Sequence, residues 1–209
     1  MSDSAGSNRV DGGVWLRPDD VSVRRFYEAM VAVITPRPIA WISTVNAAGA
    51  ANLAPYSFFN GVGANPPTVM FCPALKPDGT PKDSLANVQA TGEFVVNIVT
   101  EPFAEAMKLT AAESDAECDE FEMAELPKAD SALVRPPRVA GAAAAIECRL
   151  HTALQLGTGP GGANLVIGRI LAIYLAEESL SDGRPDPERI ATIGRMGGPR
   201  YTYTRERFE

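Results

Sequence analysis

Between residues 35 and 67 the chain reads TPRPIAWISTVNAAGAANLAPYSFFNGVGANPP, and no other stretch constrains its fold as strongly. Pro36 and Pro38 oppose a helix, and Ile39 to Val45 is a β-branched and aromatic run suited to a strand. Asn46 to Gly49 supplies a tight turn, Asn52 to Phe59 reads as the partner strand, and Pro66 with Pro67 punctuates its end. The partner strand finishes in Ala54, Pro55, Tyr56, Ser57 and Phe58. Small side chains let a flat ligand approach the backbone there, where amides and Ser57 can hydrogen-bond its polar edge.

The same reading places further strands at Thr68 to Cys72, Glu93 to Val99, Ala142 to Leu156 and Ala163 to Glu177. Helical spacing is confined to short segments. Val23, Phe26, Tyr27 and Met30 mark one helix, with Asp19 or Asp20 as its cap. A second runs from an N-cap at Asp83 or Ser84 to Gly92, and a third covers Phe103 to Leu109. Six strands with so few helices predict a mainly β barrel rather than a βαβ layout. Residues 1–13 read as a disordered polar tail, and 14–209 as one domain without a linker.

Composition removes several functions. With a formal net charge of −7, the chain lacks the basic surface that nucleic acid demands. Cys72, Cys118 and Cys148 show no ligand spacing, and with His151 as the sole imidazole no metal site is expected. Neither a signal peptide nor an apolar membrane span is evident, so a cytoplasmic protein with free thiols is expected. Seven acidic side chains between Glu113 and Glu125 read as a solvated face or a mobile excursion.

Gly157, Gly159 and Gly162 satisfy the dinucleotide spacing GxGxxG. That motif works only where a strand precedes the glycines and a helix follows, because the helix N–H groups hold the phosphates. Here ANLVIGRILAIYL follows, β-branched with Gly168 in its middle, so a hairpin loop is the better reading.

Lys82, Asp83 and Ser84 stand where a helix begins, so the Lys82 ammonium and the free N–H groups can hold a phosphate monoester. Arg37, stiffened between two prolines, can serve as a fixed guanidinium or as a surface ion-pair partner. Trp41 and Phe59 are candidates to line a ring pocket. Arg195 and Tyr201, in the glycine-rich GRMGGPRYT, can cover that pocket and attract a phosphorylated cosubstrate. No residue is expected to act as a catalytic acid, base or nucleophile, and His151 reads as structural or surface. A cofactor carrying its own reactivity accounts for that shortage.

Segments in order, TPRPIAWIST, NLAPYSFFNGV, Pro66-Pro67, KDSLAN, TGEFVVN, DEFEMAEL, PPRV and ECRL, resemble the flavin reductase-like family of FMN-binding split barrels, particularly its flavoredoxin-like branch. The resemblance covers Tyr27 to Tyr203. It implies a six-stranded Greek-key barrel, a homodimer with FMN near the subunit interface, and NADH or NADPH as cosubstrate. Arg37, Trp41, Ala54 to Phe59 and Lys82 to Ser84 become FMN-site candidates by that likeness. The implied activity is NAD(P)H:flavin oxidoreduction, passing electrons to a partner monooxygenase or another acceptor. A non-catalytic FMN-binding or flavin-storage protein is the alternative.

Overall fold

Strands β1 (Ala40–Val45) and β2 (Ala51–Tyr56) form the expected antiparallel hairpin, with Ala40 opposite Tyr56 and Val45 opposite Ala51. The computed structural model describes residues 8–10, 12–112, 118–206 and 208. Asn46 closes the hairpin: its side-chain oxygen accepts the Ala48 and Ala50 N–H groups, at 2.9 and 3.0 Å. Gly49 there takes φ +90°, open to a residue without Cβ.

The expected single strand from Asn52 to Phe59 is instead two. After β2 the chain breaks at Ser57 and Phe58, and β3 (Phe59–Ala64) turns to pair with β4 (Pro67–Phe71). The Phe58 carbonyl accepts the Cys72 N–H at 2.9 Å, which hands the chain from one edge of the sheet to the other. With β5 (Glu93–Ile98), β6 (Ala144–Gln155) and β7 (Asn164–Leu175), one antiparallel sheet runs in the order β2-β1-β5-β6-β7-β4-β3. It has seven strands rather than six, β3 being the addition.

The three glycines at 157, 159 and 162 form the β6–β7 hairpin loop, since Gln155 pairs with Asn164 and a strand follows. A strand and not a helix follows them, so the dinucleotide mechanism has no footing. Gly168 within β7 meets a different demand: a Cβ there would lie 2.3 Å from the buried Phe94 ring.

Both faces of β1 are buried, and the period of two divides its residues between two cores. Ala40 and Ile42 pack with Tyr56, Phe71, Phe94 and Val96, covered by Leu85 and Val88 of the helix that precedes β5. Ile39 and Trp41 pack with Leu53, Met107, Phe121 and Val139 on the other side.

Helices occupy the expected places with different caps. On α1 (Val23–Val33), Ser22 is the N-cap, accepting the Arg25 N–H, while Asp19 and Asp20 lie in the preceding 3-10 turn. Helix α2 (Asp83–Thr91) starts after Lys82, and neither Asp83 nor Ser84 caps it because each side chain is held elsewhere. Gly92 ends it at φ +73°. A 3-10 turn leads into α3 (Ala104–Leu109).

The acidic run is not uniformly solvated. Residues 113–117 lie outside the described residues, but in α4 (Glu120–Met123) Glu120 is 5% exposed and Phe121 is buried. Most of the expected tail also lies outside the described residues; Asn8–Val10 pairs with Gly13–Trp15. Among the described residues no helix is long and apolar enough to cross a membrane.

Candidate functional site

The end of β2 and the start of α2 meet beside a cleft. Asn52 Nδ2 donates to Ser84 Oγ at 3.1 Å, and Asn87 Nδ2 donates to Thr44 Oγ1 at 3.0 Å, which fixes α2 against the hairpin. Ala54, Pro55, Tyr56, Lys82, Asp83 and Ser84 all line this cleft, a space of about 140 Å³. Lys76 joins them, its ammonium 3.1 Å from the Asp83 carboxylate. Among the described residues no side chain caps the first turn of α2, so N–H groups at the helix start are available on a side carrying two lysines.

Pro55 and Ala111 also border a larger chamber of about 510 Å³. Arg37, Ser57, Arg195, Tyr201 and Tyr27 line it. Arg195 lies over the Tyr201 ring, 4.6 Å from its centroid, and donates to the Tyr201 hydroxyl. Thus residues from β2, α2, the stretch before β1 and the C-terminal hairpin Ile193–Arg195/Tyr201–Tyr203 line two neighbouring depressions that share Pro55 and Ala111.

Three sequence candidates sit elsewhere. Trp41 is 1% exposed and lines neither space; its indole N–H donates to Thr110 Oγ1 at 2.8 Å, and Thr110 lines the cleft in its stead. Phe58 packs edge-on to Tyr27, ring centroids 6.4 Å apart. Phe59 borders a separate, mainly apolar groove with Pro36, Ile98 and Ile193. Arg37 is neither a surface ion-pair partner nor a free guanidinium, being 5% exposed and bonded to backbone carbonyls.

Electrostatics follow from burial. The Tyr56 phenol is pushed up to about 12 by burial, against a lowering by its hydrogen bond with Ser84, so it remains protonated beside the cleft. Arg37 is lowered, first by burial and then by the like charge of Arg195, with Tyr27 acting the other way. Lys76, Asn52, Thr110 and Glu120 escaped the sequence reading. Glu120 accepts the Leu53 N–H at 2.9 Å, and only its neighbour Phe121, an apolar residue in an acidic run, hinted that this turn faces inward.

The family model for the flavin reductase like domain matches residues 32–208. The chain belongs to this family. A curated member-like relative, an uncharacterized protein of Halalkalibacterium halodurans, is 36% identical over 189 residues, covering 89% of this chain and 90% of its own. Among solved structures, nitrilotriacetate monooxygenase component B from Bacillus cereus is 34% identical with a TM-score of 0.86, covering 93% of this chain and 98% of that one. A split barrel domain protein of Shewanella frigidimarina, 23% identical, shares the fold at a TM-score of 0.78 over 90% of this chain and 92% of that one. The seven-stranded sheet is therefore a split barrel of the flavin reductase-like kind.

Proposed function

We propose that this chain is an FMN-dependent NAD(P)H oxidoreductase that passes electrons to free flavin, a protein partner or another acceptor. The observation carrying this reading is the uncapped start of α2, flanked by Lys76 and Lys82, opening on a cleft that shares Pro55 and Ala111 with the neighbouring chamber at Ser57 and Arg195. A phosphate monoester fits the first end, because N–H groups and ammoniums offer charge-assisted bonds. A flat ring fits the second, between the Pro55 backbone and the tyrosines.

In this reading Lys82, the α2 amides and Ser84 anchor the phosphate, while Asp83 orients Lys76. Ala54 to Tyr56 border the ring, and Ser57 hydrogen-bonds its edge. Arg195 and Tyr201 admit the nicotinamide cosubstrate. Bound FMN supplies the hydride chemistry, so the protein need only bind, orient and exclude water. The relationship to a monooxygenase component B supports a partner monooxygenase as acceptor. We place the enzyme in the cytoplasm as a homodimer whose second subunit completes the site.

Anaerobic mixing of the FMN-loaded protein with NADH and with NADPH tests the reaction. Bleaching of the visible flavin band by either donor is expected. A protein that binds FMN but bleaches with neither donor is a flavin-binding or storage protein instead. Light scattering in solution tests the dimer.

A further inference from the structure

Arg37 makes an unusual set of contacts for a residue bordering a ligand chamber. Its Nη1 donates to the Val31 and Ile34 carbonyls at 2.8 and 2.6 Å, at the C-terminal end of α1. Its Nη2 donates to the Met196 carbonyl at 3.1 Å, and its Nε donates to Ser57 Oγ at 3.3 Å. The backbone of Arg37 is bonded both ways to that of Arg195, at 2.9 and 2.8 Å. A buried guanidinium with four of its five N–H donors engaged has little left for a ligand phosphate.

Its effect on Ser57 is more specific. A guanidinium has donors and no acceptor, so Ser57 Oγ can only accept from it. One lone pair of the hydroxyl is thereby occupied, and its proton is turned away from Arg37. Among the described residues the Ser57 hydroxyl donates to no protein group, and Ser57 lines the chamber.

We propose that Arg37 is a positioning residue that fixes the Ser57 hydroxyl as a hydrogen-bond donor into the chamber, so that it meets an acceptor atom of the flavin ring and not its N3–H group. This rests on the flavin reading of the site. The oxidised ring offers acceptors at N1, O2, O4 and N5 but one polar donor, N3–H. With one lone pair held by Arg37 and its proton turned into the chamber, Ser57 favours an acceptor-bearing ring edge. Through Met196 and Arg195, Arg37 also ties that preference to the loop that brings Gly198 and Tyr201 to the chamber wall.

The test compares equilibrium binding of FMN and of 3-methyl-FMN, which lacks the N3–H donor, to the wild-type chain and to Ser57→Ala. Loss of a neutral hydrogen bond should weaken FMN about 3- to 10-fold, and by the same ratio for 3-methyl-FMN. A Ser57 effect that vanishes on the methylated ring would overturn the donor assignment, as would a Ser57→Ala chain that binds FMN undiminished. For Arg37, a cycle with Arg37→Lys and Arg37→Lys/Ser57→Ala isolates coupling from general damage. The Arg37→Lys penalty on FMN binding should shrink about 3-fold or more once Ser57 is gone; strict additivity would refute positioning. Should Arg37→Lys not fold, Ser57→Thr, which keeps the hydroxyl, must retain the wild-type ratio, and its loss would count against the proposal. A wild-type chain that binds neither ring fails the flavin reading itself, whereas ring binding indifferent to Ser57 fails only this inference.

Discussion

The Trp41 indole N–H donates to Thr110 Oγ1 at 2.8 Å, joining the start of β1 to the C-cap of α3. Thr110 in turn donates to the Met107 carbonyl at 3.0 Å and is 2% exposed. Replacing Thr110 with Val preserves shape but strands a buried indole donor, which costs about 1–3 kcal/mol. The expected loss is read from urea denaturation. Trp41→Phe with Thr110→Val should cost less than the sum of the single changes, because neither partner is then left unpaired.

Lys82→Ala should weaken FMN binding about 10- to 150-fold, the equivalent of about 1.5–3 kcal/mol for a hydrogen bond to a charged group. Titration of the purified protein measures it, and unchanged affinity would sink the phosphate assignment. Lys76→Ala should also weaken binding, since it leaves the Asp83 carboxylate, now 3.1 Å from the Lys76 ammonium, unpaired beside the phosphate. Adding Asp83→Asn should recover part of that loss.

What could be read in advance follows the range of the forces involved. The β1–β2 hairpin was legible because β-branched residues and the Asn46 turn act locally. The α2 start was legible from Lys82, Asp83 and the closing Gly92, again within one segment. The strand β3 was not: Gly61 and Gly63 have low strand propensity, and pairing with β4 decides the matter. Trp41 was misplaced because both faces of β1 are buried, so alternation cannot say which one meets the cleft. The contacts of Arg37 with Met196 and of Glu120 with Leu53 join distant segments, which local pattern does not encode.

Gly168→Ala should destabilise the fold by about 1–3 kcal/mol through overpacking. A methyl at that position would sit 2.3 Å from Phe94 Cζ and 3.2 Å from Cys148 Cβ, and both neighbours are fully buried. Thermal denaturation without ligand measures the cost. Phe94→Leu in the same chain should return part of it by removing the clash, even though Phe94→Leu alone is destabilising; independent, additive losses would contradict the packing argument.

Two buried acids set a dependence on alkaline pH. Burial pushes the Tyr56 phenol from 10.0 up to about 12, and the Cys148 thiol from 9.0 up to about 12, the latter assisted by the charge of Glu147. Each folded value lies above its unfolded one, so the unfolded chain releases these protons first as pH rises. Stability from both groups is therefore complete below pH 9.0 and is lost between there and about 12. The combined loss is on the order of several kcal/mol, taking about 1.4 kcal/mol per pH unit for each group. Urea midpoints should hold steady from neutral pH to the Cys148 threshold and then fall. Tyr56→Phe and Cys148→Ala should each flatten that decline, whatever they cost at neutral pH, and a slope unchanged in both variants would show that other groups control it.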